Sequence, residues 1–170
     1  GMGLTAENLA RKYGVSREDS DAFAVESHRK ALAALEAGKF SEEIVPYRFT
    51  LKSPAENGRV EETELEFSVD ECPRPGTDIE GLSKLRPVFS VGGTVTAGNA
   101  SQMSDGAAAV VVMSSEKAES LGLRPRLILR SYNVSGVAPE IMGIGPVEAV
   151  PKALRQAGLT IDEMDVIELN

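Results

Sequence analysis

The sequence is poor in the residues that build disulfide frameworks and metal sites. Its 170 residues include one cysteine, Cys72, one histidine, His28, and no tryptophan. A single cysteine cannot form a disulfide within the chain, and this usage is typical of a reducing compartment. The sequence therefore predicts a cytoplasmic protein without bound metal.

Long apolar runs and an excess of basic residues are also missing. No stretch approaches the roughly 18 consecutive apolar residues of a membrane helix, and the first ten residues lack the basic and apolar regions of a signal peptide. The net charge of −8 disfavours nucleic-acid binding, which needs a basic face. We expect neither membrane nor nucleic-acid partners, and an anionic ligand would need a local cluster of donors.

Helix signals dominate the first part of the chain. Thr5 and Gly14 predict the start and end of a first helix, and Ser16 with Asp19 predicts a capping box for a second helix that ends near Gly38. Steps of three and four residues place four side chains on one narrow face of the second helix. They are Ala24, His28, Ala31 and Leu35.

Strand signals follow in the middle. Residues 44–51 are expected to be extended, with Pro46 at an edge. Residues 60–69 alternate, which predicts a half-buried strand. Its solvated face carries Glu62, Glu64 and Glu66, and its buried face carries Thr63, Leu65, Phe67 and Val69. Residues 70–81 contain several prolines and glycines and are predicted to be mostly irregular.

The last third reads as regular α/β structure. Buried or paired strands are predicted at 107–113, 127–134 and 166–169, because these runs are apolar and short. Ser115 is expected to cap a short helix, and Pro146 to begin a longer one. The composition changes near residue 104, which suggests a boundary there. Because the chain ends inside an apolar run, we expect it to be part of a longer protein.

Residues 93–109 carry the most informative pattern. Small and hydroxyl-bearing residues offer donors with little bulk, so a backbone could closely approach a ligand there. These donors are Gly98, Asn99, Ser101, Ser104 and Gly106. The composition alone favours a tight turn between a strand and a helix over a ligand-binding segment.

This segment, GTVTAGNAS followed by DGAAA, resembles the signature of the thiolase family. Four further motifs resemble that family in the same order. They are MGLTAENLA at 2–10, SREDSDAFA at 16–24, KLRPVF at 84–89 and IMGIGP at 141–146. The last residues, ELN, resemble the beginning of the family's NEAF motif. The resemblance covers the whole chain.

The resemblance implies an α/β thiolase fold with layers in the order α-β-α-β-α, of which this chain would hold the loop domain and the junction of the two halves. Residues 1–103 would form the loop domain that binds coenzyme A. Residues 104–124 would end the N-terminal half, and residues 125–170 would begin the C-terminal half. The family's members assemble as dimers and tetramers, so a homodimer or homotetramer is implied.

Site residues are also implied by the resemblance. Ala97, Gly98 and Ser101 match positions along the pantetheine arm of coenzyme A, and Phe89 matches an aromatic position in the same channel. Two further matches and one departure concern the ends of the ligand. Met2 matches a residue near the thioester. Arg74 matches an arginine near the adenine and phosphates. Without the resemblance, its sequence context is also compatible with a solvated loop arginine. Gly81 replaces a serine that contacts the nucleotide in biosynthetic members.

One catalytic position is implied, namely Asn170, which matches the NEAF asparagine that orients a water in an oxyanion hole. The nucleophilic cysteine, the activating histidine and the second cysteine of the family have no matching motif here. Cys72 lies in a loop with no local base, and His28 is expected to be a packing or surface residue.

Three functions remain open. The chain could be part of an active thiolase, a non-catalytic module that binds coenzyme A or lipid, or one subunit of a split enzyme. Within thiolases, three stretches favour the degradative 3-ketoacyl-CoA thiolases over the biosynthetic acetyl-CoA acetyltransferases. They are Ser101-Gln102, residues 130–137 and residues 141–146. The implied reaction takes acyl-CoA and coenzyme A as substrates and uses no tightly bound cofactor.

Overall fold

A computed structural model describes residues 1–55 and 58–170. The described residues form two compact units. One unit contains residues 1–15, 88–95 and 101–170. The other contains residues 16–87 and 96–100.

The first unit begins with helix α1, Met2–Tyr13. Gly14 ends it in the left-handed conformation that favours glycine, as the sequence predicts. The predicted start at Thr5 is wrong, because the helix begins one turn earlier, after Gly1. The Thr5 hydroxyl donates to the Met2 carbonyl at 2.7 Å, and so it bonds back along the helix rather than capping it.

Helix α1 packs on a 3₁₀ helix, Pro139–Ile144, from the other end of the chain. The Asn8 amide donates to the Glu140 carbonyl at 3.0 Å. A Cβ atom on Gly143 would come within 2.6 Å of a Leu9 methyl, so any larger residue there would displace the Leu9 side chain.

Two further helices belong to this unit. Helix α4, Ser115–Ser120, is capped by Ser114, one residue before the predicted Ser115. Helix α5, Gly145–Ala157, begins with Pro146 in its first turn, as predicted. It is followed by a 3₁₀ turn, Ile161–Glu163.

The second unit contains helix α2, Arg17–Glu36, which opens with the predicted capping box of Ser16 and Asp19. Ala24, His28, Ala31 and Leu35 are all half-buried. A short helix α3, Ile79–Ser83, packs on α2. Asp78 caps α3, so the predicted irregular stretch 70–81 ends earlier than expected.

An antiparallel hairpin joins β1, Tyr47–Pro54, to β2, Val60–Phe67. Pro46 therefore lies before the first strand. One face is a ladder of acidic residues opposite basic or hydroxyl residues: Glu66 with Arg48, Glu64 with Thr50, and Glu62 with Lys52. The opposite face was expected to be half-buried, but Phe67 and Leu65 are 47% and 39% exposed. Within the described chain no layer covers that face, so the expectation is wrong there.

The three strands predicted at 107–113, 127–134 and 166–169 do not form in the described chain. Val111, Leu127 and Val166 are each more than 80% exposed. A strand needs a neighbour to accept its backbone hydrogen bonds, and these runs have none among the described residues. Accordingly, the buried apolar side chains of the described residues are limited to Leu82 and Ala118.

Among residues 1–55 and 58–170, none of the helices combines the length and the apolar character that crossing a bilayer requires.

Candidate functional site

The first part of the segment 93–101 is held by a buried carboxylate. Glu7, on α1, is 4% exposed. Its Oε1 accepts the backbone N–H of Val95 at 2.9 Å, and its Oε2 accepts that of Thr94 at 3.0 Å. The Thr94 hydroxyl also donates to Oε2 at 3.3 Å. A single side chain thus fixes two successive peptide groups of the segment.

These bonds also determine the charge of Glu7. Burial alone would raise its pKa, because desolvation disfavours the ionised form. The hydrogen bonds from Thr94 and Val95, with a smaller contribution from the charge of Arg11, outweigh burial and leave the pKa below its ordinary value. Glu7 is therefore a carboxylate at neutral pH.

Two glycines allow the close packing around α1. A Cβ atom on Gly93 would lie 2.3 Å from Oε1 of Glu7, and one on Gly3 would lie 2.2 Å from the Phe89 ring. Real side chains do not approach this closely, so both positions need glycine. Phe89 is consequently seated on the first turn of α1, beside the position of Met2.

The second part of the segment, residues 96–100, forms a tight turn in the other unit. Thr96 is completely buried. Its backbone N–H donates to Oδ1 of Asn99 at 2.8 Å, and its hydroxyl accepts the N–H of Gly98 at 3.2 Å. A Cβ atom on Gly98 would come within 2.5 Å of Leu82 and 2.7 Å of Leu85. The turn is therefore built for close approach of backbone to its neighbours.

A second buried carboxylate, Asp21 on α2, holds this turn. Its Oδ1 accepts the side-chain amide of Asn99 at 2.9 Å, and its Oδ2 accepts Nε of Arg17 at 2.7 Å. Arg17 also donates through Nη2 to the carbonyls of Leu82 and Leu85, at 2.6 and 3.0 Å. This group, Arg17, Asp21, Asn99 and Thr96, is called the turn network below.

The loop of Arg74 is tied to helix α2 by a histidine. The backbone N–H of Arg74 donates to Nδ1 of His28 at 3.1 Å. The side chain of Arg74 is exposed, as a residue that meets a ligand from solvent would be. His28, expected to be a packing or surface residue, is half-buried and positions a loop.

The structure brings some of the predicted site residues together and leaves others apart. Ala97 and Gly98 lie in one turn, and Phe89 lies against the residue after Met2. Arg74 is on a separate loop of the second unit. Ser101 is exposed, and Asn170 is exposed at the end of a run that has no strand partner among the described residues.

Sequence reasoning missed the residues that hold the segment in place. Glu7, Arg17 and Asp21 lie within motifs that mark the family in the sequence. Asn99 is predicted to be a ligand donor, but in the structure its amide serves the turn network. The available signal was an acid or arginine set among small and apolar residues of a helix, which needs a buried partner.

Comparison with known proteins gives the family. Residues 1–116 match the thiolase N-terminal domain, and residues 123–170 match the thiolase C-terminal domain. The chain belongs to the thiolase family, and the resemblance noted in the sequence is confirmed.

Relatives and solved structures agree with this assignment. The 3-ketoacyl-CoA thiolase of Bacillus subtilis is 57% identical over 99% of this chain and 43% of its own length. The acetyl-CoA acetyltransferase of Chromobacterium violaceum is 50% identical over 99% of this chain and 41% of its own length. The chain thus spans about two fifths of the length of these relatives.

Two crystal structures confirm the α/β thiolase fold. The Bacillus anthracis acetyl-CoA acetyltransferase superposes with a TM-score of 0.84 at 44% identity, over 97% of this chain and 40% of its own. Human mitochondrial 3-ketoacyl-CoA thiolase in complex with CoA superposes with a TM-score of 0.83 at 43% identity, over 97% and 38%.

Proposed function

We propose that the full-length protein is a 3-ketoacyl-CoA thiolase of fatty acid β-oxidation. It would cleave a 3-ketoacyl-CoA with coenzyme A into acetyl-CoA and a shortened acyl-CoA. The observation that carries the proposal is the segment 93–101, which two buried carboxylates hold in a chain of the thiolase family. The 57% identity to a 3-ketoacyl-CoA thiolase supports the degradative assignment.

This chain would supply the coenzyme A-binding part, with residues 1–103 as the loop domain, 104–124 as the end of the first half and 125–170 as the start of the second. Its proposed contacts are Met2, Arg74, Phe89, Ala97, Gly98 and Ser101. Exposed Arg74 provides a guanidinium for the nucleotide end, where a planar cation can pair with phosphate or stack on a base. A related thiolase crystallised in complex with CoA supports this ligand, which would be a substrate rather than a tightly bound cofactor.

The covalent steps need residues that these 170 positions do not match. A cysteine attacks the 3-keto carbon, the bond between the α and β carbons breaks, and the acetyl-CoA carbanion takes a proton. Coenzyme A then displaces the shortened acyl group from the cysteine, which regains its thiol. Other segments of the full-length protein would supply these groups, and Asn170 would contribute to the oxyanion hole there. We also infer a cytoplasmic homodimer or homotetramer.

A second candidate is acetyl-CoA acetyltransferase activity, which two relatives at 50% and 51% identity favour. Both candidate activities would use the same contacts to coenzyme A. They differ in the acyl chain that the enzyme accepts. Gly81 replaces the serine expected of biosynthetic members, and this replacement favours the degradative reaction. Its backbone N–H is occupied by the Asp78 side chain at 2.7 Å.

Steady-state kinetics of the full-length protein test this choice. The substrates are 3-ketohexadecanoyl-CoA and acetoacetyl-CoA, each with coenzyme A. We expect turnover of both, with the higher kcat/KM for the long chain. A strict preference for acetoacetyl-CoA would favour the second candidate. Coenzyme A binding by calorimetry without turnover of either substrate would indicate a non-catalytic binding module and overturn both enzyme proposals.

A further inference from the structure

Asp21 is a buried charge that the proposed chemistry does not use. It is 3% exposed, and each of its oxygens has a partner: Asn99 on one and Arg17 on the other. An ionised carboxylate is costly to bury unless such partners replace the lost water. The turn that it holds is the turn proposed to contact the pantetheine arm.

The side-chain amide of Asn99 links the carboxylate of Asp21 to the backbone of Thr96. Because Asp21 can only accept, the NH₂ end of the amide must face it. The amide oxygen is then directed at the N–H of Thr96, which donates to it at 2.8 Å. Reversing the amide would place two donors together at Thr96 and lose both bonds. The charge at Asp21 therefore selects one orientation of Asn99.

Arg17 also holds the residues against which the turn packs. Its Nη2 binds the carbonyls of Leu82 and Leu85 at the end of α3. These two leucines are the side chains that a Cβ atom on Gly98 would strike. One ion pair thus fixes both the turn and the surface on which Gly98 rests.

We propose that Asp21 is a positioning residue for coenzyme A binding, acting through Asn99 on the backbone of residues 96–100. The inference rests on the proposed function, in which Ala97 and Gly98 contact the pantetheine arm. Asp21 itself touches no substrate. It sets the conformation that the turn presents, so that binding loses little entropy when the ligand arrives.

An exchange of acid and amide between positions 21 and 99 tests the proposal in the full-length protein. Asp21→Asn leaves two amides facing each other and Arg17 without its carboxylate. Asn99→Asp places two carboxylates together. The double variant Asp21→Asn/Asn99→Asp restores the hydrogen bonds between positions 17, 21, 99 and 96: the amide at 21 accepts from Arg17 and donates to the carboxylate at 99, which still accepts the N–H of Thr96.

The readout is KM for coenzyme A and for pantetheine in thiolysis, together with kcat. Each single variant is expected to raise both KM values about tenfold, the effect of one lost hydrogen bond to a charged group. We expect kcat to stay within about twofold, because the contact that is lost stabilises the bound ground state and the transition state equally. The double variant is expected to return both KM values to near the wild-type level.

Glu26→Gln is the matched control, since Glu26 is an acid on the same helix that pairs with Arg29 but whose side chain is 46% exposed. It should leave KM unchanged. If Asp21→Asn does not fold, Asn99→Asp against the double variant gives the same comparison. Unchanged KM in the folded single variants, or no rescue by a folded double variant, overturns the positioning role. Wild-type protein that neither binds nor turns over coenzyme A overturns the proposed function and this inference with it.

Discussion

The carboxylate of Glu7 accepts the backbone N–H of Val95 at 2.9 Å, across 88 residues of sequence. The bond joins the helix at the start of the chain to the segment that carries the thiolase signature. It is buried, and its acceptor is charged, so it belongs to the stronger class of protein hydrogen bonds.

Replacing Glu7 with glutamine should destabilise the full-length protein. A glutamine offers one acceptor where the carboxylate offers two, and its NH₂ group would face the donors of Thr94 or Val95. The expected loss is about 2 kcal/mol of the free energy of unfolding, the cost of leaving a buried donor unsatisfied. Urea unfolding measures it. Glu119→Gln, an exposed acid of the same unit, should change the midpoint little.

The hydrogen bonds of Glu7 with Thr94 and Val95 should also make the free energy of unfolding depend on pH. Burial raises the pKa of Glu7, but the bonds from Thr94 and Val95 prevail and hold it below the ordinary 4.5. A depressed carboxyl pKa contributes stability that is present above the unfolded-state value and is lost as pH falls through the folded-state value. The stability difference between wild type and Glu7→Gln should therefore be full at pH 7 and shrink below pH 4.5.

Comparing wild type with Glu7→Gln separates the titration of Glu7 from that of the other acids. The exposed carboxylates Asp19, Glu116 and Glu163 also have lowered pKa values, because hydroxyls or backbone groups donate to them. Their titration is common to wild type and variant and cancels in the difference. A difference that stays constant, or grows, between pH 7 and pH 3.5 would contradict the role given to Glu7.

The sequence predicted what local signals specify. Capping by Ser16 and Asp19, the glycine after α1 and the proline at the start of α5 act within one turn of helix, so those helices were found. The strand at 107–113 was wrong because a strand depends on a partner, and no partner is present among the described residues.

In the candidate site too, features set by neighbouring residues could be predicted, and contacts between distant residues could not. The small and hydroxyl-bearing residues of 93–101 could be recognised in a short window. The carboxylates that hold this segment lie 88 and 78 residues away, and no periodicity connects Glu7 with Val95 or Asp21 with Asn99. Asn99 was misread for this reason: only the structure shows that its amide faces inward.

A close approach of backbone and side chain leads to a third prediction. Gly98→Ala would place a Cβ atom within 2.7 Å of both Leu82 and Leu85. Overpacking of this kind costs about 1–3 kcal/mol. We expect a lower melting temperature and weaker coenzyme A binding by calorimetry. Gly136→Ala, where a Cβ atom meets nothing within 4 Å, is the control and should behave as wild type.

The hydrogen bond from Arg74 to His28 leads to the last prediction, which concerns the nucleotide end of coenzyme A. Nδ1 of His28 accepts the Arg74 N–H. A residue at position 28 that has no acceptor should therefore release the loop that carries the guanidinium. His28→Ala should raise KM for coenzyme A several-fold, by roughly 1 kcal/mol of lost binding, and leave KM for pantetheine unchanged, since pantetheine lacks the nucleotide. His28→Gln, whose amide oxygen can accept the same N–H, should restore KM toward the wild-type value.

Ser27→Ala, an exposed neighbour on α2, controls for general effects on that helix. The pantetheine comparison separates this effect from that of the turn network, whose variants should affect both thiols equally. If His28→Ala weakens coenzyme A and pantetheine to the same degree, the histidine supports the fold as a whole and the assignment of Arg74 to the nucleotide is wrong. An equal loss in His28→Gln and His28→Ala would show that the hydrogen bond to Arg74 is not what His28 contributes.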